Sequence, residues 1–222
     1  MRKQIHTREG FRCFQLKSMG FIAIFIGPVV LFATTIIYSL PFPKSISETA
    51  TISNRTAPIL PFCLGALALF SLTYAIVHSY DIKDRVFTVG MFFGFTIVAL
   101  QMCYSQYIDT PRVGFLGVSE YVSNALHFIG AVVGFGCMIL WIMLCFMQSD
   151  QERDMQTKEK KLRNTWYSCL GAAMTLSLCL FIFNHLGMFG DDFPVMFIAE
   201  CFMLAFGGIA CLIKGGLILE DE

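Results

Sequence analysis

The sequence predicts an all-α fold: a polytopic transmembrane bundle of six helices with both termini cytoplasmic. Three observations carry this reading. The 222-residue chain is 56% hydrophobic and only 14% charged, a balance that would coat a soluble domain of this size with apolar surface. Uncharged stretches cover residues 19–40, 57–77, 86–108, 121–149 and 165–190, and a sixth, 193–213, is interrupted only by Glu200. Each can cross a hydrocarbon layer of roughly 30 Å as a helix rising about 1.5 Å per residue. Finally, 13 of the 16 Lys and Arg residues fall on the side of the amino terminus, against Lys44, Arg55 and Arg112 on the other, which makes that side cytoplasmic.

Taken in order, residues 1–18 are a basic cytoplasmic segment, followed by one transmembrane domain over 19–213. The first run has no small-residue cleavage site after it and reads as a signal anchor, with a kink expected at Pro28. The loop 41–56 then faces the lumen or exterior. Its "NRT" sequon at Asn54 ends against the next helix, so glycosylation there is not expected. Pro58 and Pro61 suit the first turns of the second helix, where a missing N–H costs little. In the third and fourth runs, "GMFFG" (Gly90, Gly94) and "GAVVG" (Gly130, Gly134) permit helix backbones to approach closely. The loops 109–120 and 191–192 return to the lumenal side, and 214–222 is an acidic cytoplasmic tail.

Between helices four and five, "DQERDMQTKEKKLRN" is acidic first and basic second, and is expected to extend both helices beyond the membrane. Lys158, Lys160, Lys161 and Arg163 are candidate contacts for anionic lipid, at about 1 kcal/mol per cation near the surface. Alternatively, these charges only set the topology. Tyr38, Tyr104, Tyr107 and Tyr121 on one side, and Tyr80, Trp166 and Tyr167 on the other, fall where amphipathic rings anchor at an interface. Eight of the nine cysteines lie within the runs and none in a lumenal loop, so no disulfide framework is indicated. Cys13 and Cys145 are either packing residues or palmitoylation sites.

Glu200 is the one charged residue inside any of the six runs. At six residues from Pro194 it lies about 9 Å below the lumenal boundary, the same depth as His127 below Tyr121 and Gln101 below Tyr107. Asn124, Asn184 and His185 lie slightly nearer the lumen, and Glu48 is in the first lumenal loop. A carboxylate in hydrocarbon is costly, so Glu200 is expected to face the bundle interior, with His127 as its partner. Three roles fit such a cluster: interhelical hydrogen bonding, a polar cavity for a lipid headgroup, or a catalytic or ion-binding site.

Enzyme chemistry has little in the sequence to stand on. Four histidines without an HExxH or comparable spacing do not make a zinc site, and neither a GxSxG elbow nor a Gly-rich phosphate loop occurs. No catalytic residue, metal ligand or cofactor is therefore assigned, and nucleic acid is excluded as a partner for want of a basic domain. The stretches outside the runs are at most 18 residues long, too short to build their own core. Helices one to three and four to six have opposite topology, a weak hint of a transporter-like inverted repeat, but no residue pattern matches between the halves.

The segments "SISETATISNRTAP", "NALHFIGAVVGFG" and "AECFMLAFGG" resemble the DRAM (damage-regulated autophagy modulator) proteins, grouped with Frag-type and Sfk-type proteins. The signals are Ser47, Glu48 and Thr49 in the first lumenal loop, His127 with Gly130 and Ala131 in helix four, and Ala199 with Glu200 in helix six. Ala50 and Cys201 depart from the pattern. The resemblance implies a six-helix protein of endomembrane (endoplasmic reticulum or lysosome) or plasma membrane. It also implies lipid handling as an accessory or anchoring subunit, with phospholipids and a larger protein as partners. On this basis Glu48, Gln101, Asn124, His127, Asn184, His185 and Glu200 are a structural or headgroup-binding cluster. The alternative is a lipid-remodelling enzyme or small lipid transporter using His127 and Glu200.

Overall fold

A computed structural model of the chain describes residues 2–37, 45–46, 59–79, 81–103, 118–148, 157–189 and 194–219. The regular structure among them is helical throughout: α1 (Arg2–Leu31), α2 (Ile59–Val77), α3 (Ile82–Cys103), α4 (Glu120–Leu140), α5 (Lys158–His185) and α6 (Val195–Lys214). A π-helical segment, Phe32–Ile37, prolongs α1, and another, Trp141–Phe146, prolongs α4. Among the described residues, five stretches are long and apolar enough to cross a membrane: Glu9–Leu31, Leu60–Val77, Tyr121–Phe146, Lys158–His185 and Val195–Lys214.

Local chemistry sets several helix ends. Thr157 caps α5 by accepting the Lys160 N–H at 3.2 Å, and Asp81 accepts the Asp84 N–H at 2.7 Å in the first turn of α3. The Asp84 N–H, with the Gln148 amide second, holds the Asp81 carboxyl below the ordinary carboxylate range. At the other end of α5, Gly187 takes φ 76°. The Met188 and Gly187 N–H groups then close back on the carbonyls of Phe183 and Asn184, at 3.1 and 3.0 Å. That turn stops the helix at His185, short of the apolar run's end at residue 190. Conversely, α1 begins at Arg2 and α5 at Lys158, well before their apolar runs. Lys, Arg and Glu favour a helix, so a helix does not end where the charges begin.

The helices form a ring in chain order: α1 packs on α2, α2 on α3, α3 on α4, α4 more lightly on α5, α5 on α6, and α6 closes against α1. Large apolar side chains fill the middle, among them Leu16, Met91, Phe95, Met138, Trp141, Met174 and Met203. Equally large ones face outward, with Phe62 80%, Ile76 70% and Leu176 64% exposed. Such a perimeter suits a lipid solvent.

Two seams bring backbones together. In the α3–α4 seam, Gly94 faces both glycines of the α4 pair, and a methyl group on it would overlap the backbone of Gly134 and lie 2.7 Å from the Gly130 carbonyl, while Gly90 lies against Cys137. In the α1–α6 seam, a methyl on Gly20 would lie 2.8 Å from the Gly208 carbonyl, and one on Gly208 would lie 2.7 Å from the Gly20 carbonyl. Cys13 with Gly215 and Gly27 with Cys201 meet along the same line. Contacts recur every seven residues on both helices, the period of left-handed antiparallel packing.

Several expectations change here. Tyr167 is buried and packs edge-on against Phe146 at 5.4 Å, so it is a core residue and not an interfacial anchor, whereas Tyr121 is 83% exposed. Cys145 is buried in the core, which leaves an acyl chain no access. The eight cysteines whose side chains are described are free thiols. Pro28 lies within α1, and the helix continues one turn past it before widening at Phe32. Tyr38, Tyr80, Tyr104, Tyr107, Asn54 and Pro58 lie outside the described residues.

Filling the tighter seam is expected to destabilise the protein. Gly94→Val should cost about 1–3 kcal/mol by overpacking. Gly65→Ala, which meets open space, should leave stability unchanged or raise it by a few tenths of a kcal/mol. Thermal unfolding in mild detergent separates the two, and equal losses would show that the seam is not a close contact.

Candidate functional site

The described residues hold two polar regions at opposite ends of the bundle. At one end, Glu200 sits in the second turn of α6, buried among Phe197, Ala199, Met203 and Leu204. Its Oε2 accepts the backbone N–H of Ile46 at 2.5 Å. Ser45 and Ile46, from the segment joining α1 to α2, are both buried there. A buried N–H left without an acceptor costs about 1–3 kcal/mol, and apolar neighbours offer none. The lone carboxylate in the apolar runs thus ties a connecting segment to α6.

His127 lines the same cavity as Glu200, together with Ile46, Phe95, Val98 and Ala131. The expected pairing of the two side chains is replaced by backbone bonds on each: His127 hydrogen-bonds the Val98 carbonyl, across the closely packed α3–α4 seam, while Glu200 bonds Ile46. About 30 Å³ of the cavity is open to the centres of water-sized molecules. That space suits about two waters, whereas pockets for small organic ligands run to about 300–1,000 Å³.

The remaining predicted members are dispersed. His185 is exposed, within electrostatic reach of His127, and stacks on Phe128 with ring centroids 3.9 Å apart. Asn124 is exposed and Asn184 half-buried, and neither lines the cavity. Glu48 and the Gln101 side chain lie outside the described residues. No group of three His, Cys, Asp or Glu among the described residues is arranged to hold a metal ion.

At the opposite end, Asp84 is buried and its Oδ1 accepts the Trp141 Nε1–H at 2.5 Å. The Trp141 ring lies edge-on to Tyr74 at 5.1 Å and to Phe146 at 4.5 Å. This pair was not anticipated, since Asp84 reads as a loop charge between Lys83 and Arg85. The available signal was Trp141 itself, because a tryptophan deep in an apolar run needs a partner for its N–H.

Beside this pair opens a larger pocket of about 400 Å³, whose polar lining includes Arg12 and Lys17 from α1, Lys160 and Arg163 from α5, and Lys214 from α6. The four basic residues singled out on α5 therefore divide: Lys160 and Arg163 turn into the pocket, while Lys158 and Lys161 are exposed away from it. Lys160 Nζ donates to the carbonyls of Phe146 and Gln148 at 3.4 and 3.2 Å, and Lys214 Nζ to the Phe146 carbonyl at 3.2 Å. Both ammonium groups thereby sit at the carbonyl end of α4 and its extension, where the helix dipole favours cations. Arg163 Nη1 donates to the Leu219 carbonyl at 3.1 Å.

An all-helical bundle with five helices long and apolar enough to span a membrane, an apolar perimeter and polar groups gathered at its two ends has the architecture of a multi-pass membrane protein. Comparison with protein-family models, with curated proteins and with solved structures finds no match for the chain.

Two substitutions test these contacts. Glu200→Leu should lose about 1–3 kcal/mol by stranding the Ile46 N–H, whereas Glu200→Gln, which keeps an acceptor oxygen, should lose less. Equal melting temperatures for the leucine variant and the parent would dismiss the tie. Trp141→Phe keeps an aromatic ring but removes the donor to Asp84, and a loss of about 1–3 kcal/mol is expected in the same unfolding measurement.

Proposed function

We propose that this chain is a non-enzymatic integral membrane protein of six spans, with both termini cytoplasmic, that organises phospholipid or anchors a lipid-handling complex. The sixth span is α3, whose 22 residues rise about 33 Å and are uncharged from Val86 onward. An even number of spans returns both termini to one side, and the excess of Lys and Arg there supports a cytoplasmic assignment.

The observation that carries the reading is how the two ends differ. At the Glu200 end, the candidate acid and base each bond a backbone group around space for about two waters. At the other end, cations from three helices surround a pocket more than ten times as large. Contact with lipid headgroups is supported at the basic face, with the Glu200 cluster serving as internal bonding. The resemblance to DRAM, Frag-type and Sfk-type proteins points the same way and rests on its short motifs alone. It suggests an endomembrane or the plasma membrane as the location.

Purification from the native source in gentle detergent, with mass spectrometry of co-purifying proteins and lipids, tests the proposal. A stoichiometric larger partner with retained phospholipid is the expected result. A purified chain that by itself moves or modifies lipid at a substantial rate would overturn it. The enzyme alternative retains one supporting observation, that His127 and Glu200 line one cavity. It requires that Glu200→Gln and His127→Ala each abolish turnover in a protein that remains folded.

A further inference from the structure

Glu200 and His127 share a cavity in which donors and acceptors do not balance. The bond from the Ile46 N–H engages Glu200 Oε2 and leaves Oε1 to the cavity that the side chain lines. His127 gives one ring N–H to the Val98 carbonyl, and the second nitrogen of a neutral imidazole is an acceptor. With Glu200 ionised, these two side chains would bring only acceptors to a space of about 30 Å³ for water centres.

Charge does not balance either. Every other residue of the lining, from the 45–46 segment, α2, α3, α4 and α6, is apolar, and none is Lys or Arg. The nearest titratable groups outside the lining supply no counter-charge: Cys201, beside Glu200 on α6, has its Sγ against Gly27 of α1, and His185 of α5, within electrostatic reach of His127, carries no negative charge. A bare carboxylate in such surroundings is costly. An ion pair with His127 across the cavity would be costly too, since both groups lose water while their separation weakens the attraction. A single proton on Glu200 removes both deficits. Oε2 stays an acceptor for Ile46, and Oε1 becomes a hydroxyl donor toward His127.

We propose that this cavity is a proton-binding site, in which Glu200 holds a proton on Oε1 and shares it with the second ring nitrogen of His127 across space for about two waters. This goes beyond the internal bonding assigned to the cluster above, because it makes that bonding depend on pH. When the proton leaves, a bare carboxylate is left opposite an acceptor nitrogen and the cavity has no donor. The end of the bundle where residues 45–46 meet α6 is therefore firmer in acid than in base. The folded chain keeps a proton that an ordinary glutamate in the unfolded chain releases near about pH 4.3, so stability falls as pH rises above that value, until the folded chain releases it as well.

The test uses the full chain in mild detergent. Infrared spectra of the parent and of Glu200→Gln at neutral pH should differ by one carbonyl band of a protonated carboxyl group, which moves to lower frequency in heavy water. Glutamine suits the comparison because its amide keeps an acceptor for Ile46 and a donor toward His127. His127→Leu should shift the same band, since it removes the acceptor. A difference spectrum of ionised carboxylate, or a band indifferent to the histidine change, would overturn the proposal.

Stability gives an independent readout. Between about pH 5 and about pH 8, the parent's unfolding equilibrium should move toward the unfolded state relative to Glu200→Gln, by up to about ten-fold per pH unit, and a constant difference would count against the site. Should the glutamine variant fail to fold, the parent carrying isotope-labelled glutamate decides. One glutamate should stay protonated where the others are ionised, while Asp84, also buried, carries no label. If every labelled glutamate is ionised, the site falls. None of these results bears on co-purifying lipid, so the proton site and the lipid-handling role fall separately.

Discussion

Close approach of helix backbones is the constraint on which the rest of this bundle depends. Inside a bilayer, apolar side chains gain little by leaving lipid for one another, so packing distance and hydrogen bonds decide which helices associate. The Gly94–Gly134 and Gly20–Gly208 contacts remove side chains from two seams and allow each helix pair to meet almost backbone to backbone. The first seam sets α4 against α3, which carries His127 to the Val98 carbonyl. The second closes the ring by setting α6 on α1, and in doing so brings Lys214 beside the Lys17 and Arg12 of the basic pocket.

Several buried polar side chains in this fold meet a specific acceptor or donor, commonly on the backbone. Glu200 takes the Ile46 N–H, His127 the Val98 carbonyl, and Asp84 the Trp141 indole, while Gln15 on α1 donates to Thr73 on α2 at 2.7 Å. Such bonds cost little to keep and much to break where water is absent. A cluster of acid, base and amide residues at one depth therefore need not be a reactive site. At the Glu200 end the bonding is spread over loop and helix backbone. The open polar space lies at the other end.

That division shapes the functional reading. A protein whose interior polar groups bond one another and whose pocket gathers cations is suited to hold an anionic headgroup, a task that needs charge and shape but no reacting group. The basic pocket lies at one end of the bundle, where the start of α5 and the end of α6 meet the amino-terminal half of α1.

The sequence by itself determined that the chain is helical and built for a membrane, because hydrophobic run length and charge asymmetry are local properties that a bilayer reads directly. It also marked Gly90, Gly94, Gly130 and Gly134 as sites of close approach, since that motif lies within single helices. That Glu200 and His127 stand at one level of the bundle was legible too, as level follows from counting along a helix. Their partners were not, because a partner depends on the rotation of one helix against another and on where a connecting segment returns. For the same reason Lys158 and Lys160 looked alike in the sequence, and Asp84 and Trp141, 57 residues apart, gave no sign of meeting. Only the tertiary structure decided that Lys160 joins Arg12, Lys17 and Lys214 around one pocket while Lys158 faces away, for side-chain direction is set by packing across the whole ring.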